Sequence, residues 1–284
     1  MGNAAERLEF TGEAGLRLAA DAWGPPGGHP VLLLHGGGQT RHSWAATGAQ
    51  LGDEGWRACA LDLRGHGESE WAPDGRYDFE VFAADVAAAA GSFDRPPAVV
   101  GASLGGIAAL VAEQRAGGGL WAALVLVDIA PRIEPEGAQR IIAFMNARPD
   151  GFASLEEAAE AVSSYNPHRS RPRDLSGLEK NLRRGADGRY RWHWDPAFLR
   201  QRPPGGGAPD LGALDDAARA LRAPTLLVRG RQSDLLSEEG ARHFLELAPH
   251  ARFVDVSGAG HMVAGDRNDV FTRAVAEFLG ELPR

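Results

Sequence analysis

Gly101-Ala102-Ser103-Leu104-Gly105 sets one serine between two glycines, at a spacing that suits a nucleophile. An apolar run, Ala98-Val99-Val100, precedes it, and a helix-forming run from Ile107 to Ala112 follows. A serine hydroxyl attacks a carbonyl only when it projects clear of the backbone. A sharp strand-to-helix turn achieves this at the cost of strained dihedrals. Glycines two residues to either side remove the Cβ atoms that would collide. The helix then aims its first amides at the point where negative charge develops.

Three other segments carry the groups such a serine needs. His35-Gly36-Gly37-Gly38 follows the apolar run Val31-Leu32-Leu33-Leu34, and a glycine run exposes backbone N–H groups. Gly37 and Leu104 are the expected amide donors to a tetrahedral oxyanion. The full phosphate-binding glycine patterns are absent. Asp234 closes Arg229-Gly230-Arg231-Gln232-Ser233-Asp234, and His261 closes Ser257-Gly258-Ala259-Gly260-His261. Imidazole is a suitable base for a hydroxyl, and a carboxylate fixes its tautomer and stabilises the imidazolium. The order Ser103, Asp234, His261 suits a triad on a parallel sheet. Asp128 is a rival acid, because it follows another apolar run, 122–127; Asp234 is preferred for its later strand and its turn glycine, Gly230.

These groups need a scaffold that brings loop ends together. Residues 8–10 and 16–23 read as an early antiparallel pair. Buried strands are expected at 31–34, 58–61, 98–101, 122–127, 225–228 and 253–256. Helices are expected at 79–90, 104–115, 238–247 and 270–282. Alternation of this kind implies an α/β fold with a mostly parallel central sheet flanked by helices. Its ligands bind beyond the carboxyl ends of the strands. Alternation lapses over 131–222, where helix-like stretches at 137–146 and 155–165 read as a mainly helical cap inserted after the sixth strand. The expected division is a core at 1–130 and 223–284, interrupted by that cap. Within it, Tyr190-Arg191-Trp192-His193-Trp194 joins aromatic bulk to positive charge, so Trp192 and Trp194 are the candidate substrate-binding residues. Trp44 and Trp71 follow loops near the expected mouth. Phe144 and Met145 are similar candidates on a cap helix. His35 and His66 read as loop organisers, His193 as pocket, surface or packing, and His29, His42, His168, His243 and His250 as solvated.

The motifs together resemble the α/β-hydrolase fold, in its capped esterase, lactonase and cofactor-free perhydrolase branch. The resemblance rests on His35-Gly36-Gly37-Gly38, Asp62-Leu63-Arg64-Gly65-His66-Gly67-Glu68-Ser69, Gly101 to Gly106, Asp234 and Gly260-His261. It implies a serine hydrolase acting on a small carboxylic ester or lactone through an acyl-enzyme, with no cofactor. Perhydrolysis and carbon–carbon bond hydrolysis use the same triad, and a ligand receptor can be built on the same fold. Serine at the nucleophile position argues against the aspartate chemistry of related dehalogenases and epoxide hydrolases.

Composition sets the remaining bounds. The chain has 284 residues and a formal charge of -8, which argues against nucleic acid as a partner. No apolar run has membrane-spanning length, and the first residues lack the features of a signal peptide. The single cysteine, Cys59, allows no internal disulfide, and no histidine pair has metal-ligand spacing. A cytoplasmic protein without a bound metal is expected.

Overall fold

The computed structural model describes residues 5–165, 175–200, 211–260 and 268–282. Among these, strands β1 (Glu6–Thr11), β2 (Arg17–Trp23), β3 (Pro30–Leu34), β4 (Arg57–Leu61), β5 (Ala98–Ala102), β6 (Ala123–Val127), β9 (Thr225–Gly230) and β10 (Arg252–Val256) form one sheet. Its order is β1-β2-β4-β3-β5-β6-β9-β10. β1, β2 and β4 pair antiparallel, and every pair from β4 to β10 is parallel. The expected strands and helices are all present, the last helix within its described residues.

Side chains of the central strands alternate between two cores, as the period of a strand requires. Leu32, Leu34, Cys59, Leu61 and Val99 face α2 (Phe79–Ala90) and α3 (Leu104–Arg115), where Phe82, Ala108 and Ala109 complete the layer. Val31, Leu33, Ala58, Ala60 and Val100 face α1 (Ala45–Asp53) and α10 (Asn268–Gly280), meeting Leu51, Phe271 and Val275. Both faces are covered, so these strands are buried runs. α2 starts at Asp78, whose side chain accepts from Val81 N, and α9 (Glu238–Leu247) starts at Ser237, which accepts from Gly240 N.

Helix α1 had no clear signature in the sequence. Its Gly48 and Gly52 lower helix propensity, but both are needed for packing. A Cβ on Gly52 would lie 2.7 Å from the backbone nitrogen of Gly24 and 2.8 Å from Cβ of Trp23. The helix thus rests directly on the end of β2.

Between β6 and β9 the chain leaves the sheet. It forms α4 (Pro135–Asn146), α5 (Leu155–Tyr165), α6 (Ser176–Glu179), a hairpin of β7 (Leu182–Arg184) and β8 (Tyr190–Trp192), α7 (Ala197–Arg200) and α8 (Leu211–Ala220). Leu214, Ala217 and Ala218 of α8 join the core cluster that contains α3. α8 therefore packs as part of the core, although it falls within 131–222. No described helix is long and apolar enough to cross a membrane.

Gly52→Ala is expected to destabilise the protein, although alanine is the better helix former. Overpacking against fixed backbone typically costs about 1–3 kcal/mol, against about 1 kcal/mol gained in propensity. A lowered urea midpoint checks this; an unchanged or raised midpoint contradicts it.

Candidate active site

Ser103 stands between β5 and α3 with φ 47° and ψ -114°, a left-handed backbone rare for a side-chain-bearing residue. Its N–H donates to the Val127 carbonyl at 3.2 Å, tying the turn to β6. A Cβ on Gly101 would lie 2.6 Å from the Gly105 carbonyl oxygen, and one on Gly105 2.6 Å from the Leu34 carbonyl oxygen. Only glycine at both positions lets α3 descend so closely onto β3 and β5. The serine side chain makes no capping bond to the helix, and the residue is half-buried.

The loop after β3 comes up beside it. The position a Cβ would take on Gly36 is 3.3 Å from Cβ of Ser103. Gly36 N donates to Oε1 of Gln39 at 3.1 Å, and Gly38 N donates to Nε2 of His66 at 3.1 Å. Between them, the amides of Gly37 and Leu104 have no hydrogen-bond partner among the described residues. Two open amides thus flank the serine turn, as an oxyanion hole requires.

Three buried histidines hold this loop. His35 donates from Nδ1 to the Gly36 carbonyl at 2.8 Å and accepts at Nε2 from Leu63 N at 3.0 Å. His66 donates from Nδ1 to the Arg64 carbonyl at 2.9 Å while Nε2 accepts from Gly38. His193 accepts at Nδ1 from Gly67 N at 2.7 Å and donates from Nε2 to the Gly38 carbonyl at 3.3 Å. Each ring accepts at one nitrogen, so each must be neutral. Burial pushes His35 down to about 4, helped by Arg41, and pushes His66 down to about 3, helped by its neighbour His35. Burial also drives His193 well below the ordinary range.

Asp128 follows β6 with φ 51° and is fully buried. Its N–H donates to the Val228 carbonyl at 2.7 Å. Oδ1 accepts from Gly230 N at 3.0 Å, and Oδ2 accepts from Oγ of Ser233 at 2.5 Å. The Ser233 oxygen in turn accepts from Leu235 N and Leu236 N, each at 3.1 Å. A Cβ on Gly230 would collide with the carbonyls of Ala259 and Gly260. The chain leading into residue 261 therefore lies against the same glycine that binds Asp128. Asp234 is placed differently: its carboxylate pairs with Arg140 on α4, and the side chain is 31% exposed. His261 itself lies outside the described residues.

The segment between β6 and β9 covers the glycine loop after β3. A Cβ on Gly38 would lie 3.0 Å from Cε of Met145 and 3.3 Å from the Trp194 ring, and one on Gly37 would lie 3.5 Å from Phe198. Trp192 stacks on Trp194 at 5.0 Å and 12°, with Phe144 and Phe152 against its other edges. Trp194 thus touches the loop, and Trp192 supports it. Asp195 anchors the same turn, accepting from the Tyr77 hydroxyl at 2.6 Å and donating its N–H to the Gly65 carbonyl at 2.8 Å. Met145, with Phe144 a candidate from its place on a cap helix, does meet Gly38; the sequence offered no motif for Asp195 or Phe198. Trp44 is buried against Phe271 instead of near the mouth, whereas Trp71 is 40% exposed beneath Arg183. His243, expected to be solvated, bonds Asp215 at 2.9 Å. Among the described residues no cluster of His, Cys, Asp and Glu could hold a metal.

The alpha/beta hydrolase fold family model matches residues 29–267, and this chain belongs to that family. The esterase Rv0045c of Mycobacterium tuberculosis is 34% identical over 260 residues, covering 88% of this chain and 82% of that protein. Its crystal structure superposes with a TM-score of 0.78 at 30% identity, covering 99% of this chain and 93% of the other. A 3-hydroxybutyrate-oligomer hydrolase of Cupriavidus necator is 28% identical over 282 residues, covering 91% and 93%. The fold also matches E-2-(acetamidomethylene)succinate hydrolase, with a TM-score of 0.84 at 24% identity over 98% and 100% of the two chains.

The neutral histidines predict an acid-sensitive protein. Below their ordinary value of 6.5, the unfolded chain binds protons that the folded His35 and His66 exclude until about 4 and about 3. Stability is then complete above about pH 7 and falls as pH drops, by about 1.4 kcal/mol per pH unit for each such histidine. Carboxylates bound by arginine, such as Glu68, add their losses only at lower pH. Denaturation midpoints at pH 7.5 and 5 measure the effect, and equal midpoints would refute it.

Proposed function

We propose that this chain is a serine hydrolase that cleaves a carboxylic ester or lactone through an acyl-enzyme on Ser103. The observation that carries the reading is the left-handed turn of Ser103, with the open amides of Gly37 and Leu104 beside it. The esterase similarity over most of the chain supports it.

In this reading His261 takes the Ser103 proton as the hydroxyl oxygen attacks the ester carbonyl. The amides of Gly37 and Leu104 bind the resulting oxyanion. His261 then gives its proton to the departing alkoxide, and the acyl group remains on Ser103. Water, deprotonated by the same imidazole, attacks the acyl-enzyme and releases the acid. No cofactor takes part in these steps.

We assign the acid that orients His261 to Asp128 in preference to Asp234. Asp128 is buried at the end of the strand that accepts from Ser103 N, and its partner Gly230 lies against Gly260. Asp234 is neutralised by Arg140 on a partly exposed edge. Trp194 lines the acyl side of the site, with Met145 and Phe198, and Trp192 buttresses it from behind.

On p-nitrophenyl esters, Ser103→Ala is expected to lower kcat by about 10⁶-fold. Asp128→Asn should lower kcat by about 10³–10⁴-fold, and Asp234→Asn by less than about tenfold. A folded Ser103→Ala protein with normal turnover defeats the mechanism. Greater damage from the Asp234 change returns the acid to the loop after β9.

Trp194→Ala should favour longer acyl chains over acetyl by about tenfold or more, as a hydrophobic pocket change of 1–3 kcal/mol implies. Relative kcat/KM for acetate and octanoate esters checks this. An unchanged ratio removes Trp194 from the pocket.

A further inference from the structure

The glycine loop after β3 has little internal stiffness. Gly38 adopts φ 76°, and three consecutive glycines lack side chains that could lock the backbone. An oxyanion donor is useful only if its direction is fixed before the reaction. The stiffness therefore has to come from neighbouring side chains. His35 holds the Gly36 carbonyl and His66 holds the Gly38 amide, and both belong to the core. The third hold, on the Gly38 carbonyl, is His193, which arrives from the insertion 155 residues later.

His193 is 2% exposed and has both nitrogens engaged, Nδ1 with Gly67 N and Nε2 with the Gly38 carbonyl. Its ring packs on His66 at 5.7 Å and against Trp194 edge-on at 5.5 Å. Arg183, which donates to the Gly67 carbonyl at 2.5 Å, is the cation on its own side of the site. A buried imidazole bonded at both ends between two segments of the core does more than pack, because removing it leaves the Gly67 amide and the Gly38 carbonyl unmatched.

We propose that His193 is a positioning residue for the oxyanion hole: carried on the insertion, it clamps Gly38 and thereby aims the adjacent Gly37 amide at the carbonyl attacked by Ser103. The insertion is then a structural half of the oxyanion site as well as its roof. The inference rests on the serine hydrolase reading of Ser103 for its kinetic consequence only; the clamp on the loop is independent of it.

Three variants separate the two bonds. His193→Ala removes both, His193→Gln offers an amide N–H to Gly38, and His193→Asn offers an oxygen to Gly67. With p-nitrophenyl acetate, His193→Ala is expected to lose at least tenfold in kcat with KM changed less than threefold. His193→Gln should recover most of the loss, and His193→Asn should not. Amide hydrogen exchange at Gly38 and Gln39, whose N–H groups are bonded to His66 and the Gly36 carbonyl, should accelerate at least tenfold in His193→Ala and return towards wild type in His193→Gln. A residue of merely structural value would lower the melting temperature of all three variants and leave kcat intact below it. Unchanged kcat in folded His193→Ala, equal rescue by asparagine, or unchanged exchange at Gly38 and Gln39 overturns the proposal. If the wild-type protein turns over no ester, the serine hydrolase reading fails by itself, and the exchange measurement still decides the clamp.

Discussion

The contact between Gly105 and the carbonyl of Leu34 is the constraint on which the rest of the site depends. No Cβ fits there, so α3 begins almost on top of β3. That approach forces Ser103 into a left-handed backbone and brings the loop after β3 within van der Waals reach of it. Any larger residue would lift the helix away and separate the serine from the amides that flank it. The strain at Ser103 persists because the surrounding sheet over-determines it. Val127 accepts from its amide, and Ile107 donates to its carbonyl at 3.0 Å.

Around this contact, the protein uses buried neutral rings where charged groups would cost more. His35, His66 and His193 each join one donor and one acceptor, so each ring holds the glycine loop as a neutral group. The charged groups are paired one layer out. Arg41 bonds Asp62, and Arg64 meets Asp85 at 2.6 and 2.8 Å. These pairs shape the Asp62 to Ser69 loop, where Asp62 accepts from Glu68 N at 2.9 Å and Ser69 donates to the Asp62 carbonyl at 2.6 Å. Removing one member of such a pair leaves an uncompensated buried charge, typically costing 3–5 kcal/mol.

Much of this was legible in the residues. Continuous apolar runs marked the central strands, and the spacing of Gly101, Ser103 and Gly105 marked the turn, because both follow from local geometry. Helix α1 escaped notice because its glycines serve packing against Trp23 and not helix formation. The choice between Asp128 and Asp234 was not decidable from loop position, since both follow strands in the same sheet. The proposed preference for Asp128 rests on its burial and on Arg140, which sequence spacing cannot bring next to Asp234. Phe198 was hidden, and His193 was singled out without its role: the rings and loop groups they meet in the core lie more than a hundred residues away, and nothing in an insertion's own pattern says which side chains face the core.

The buried carboxylate of Asp128 accepts from groups far along the chain, Gly230 at a separation of 102 residues and Ser233 at 105. During synthesis the Ser103 turn and β6 emerge well before those partners. Until β9 docks, Asp128 lacks the Gly230 amide and the Ser233 hydroxyl, and burying it without them is less favourable. Closing so long a loop is entropically slow, as for any non-local pairing. The last strands therefore complete the surroundings of a buried group laid down a hundred residues earlier, and a chain that stops before β9 lacks these two bonds to that carboxylate.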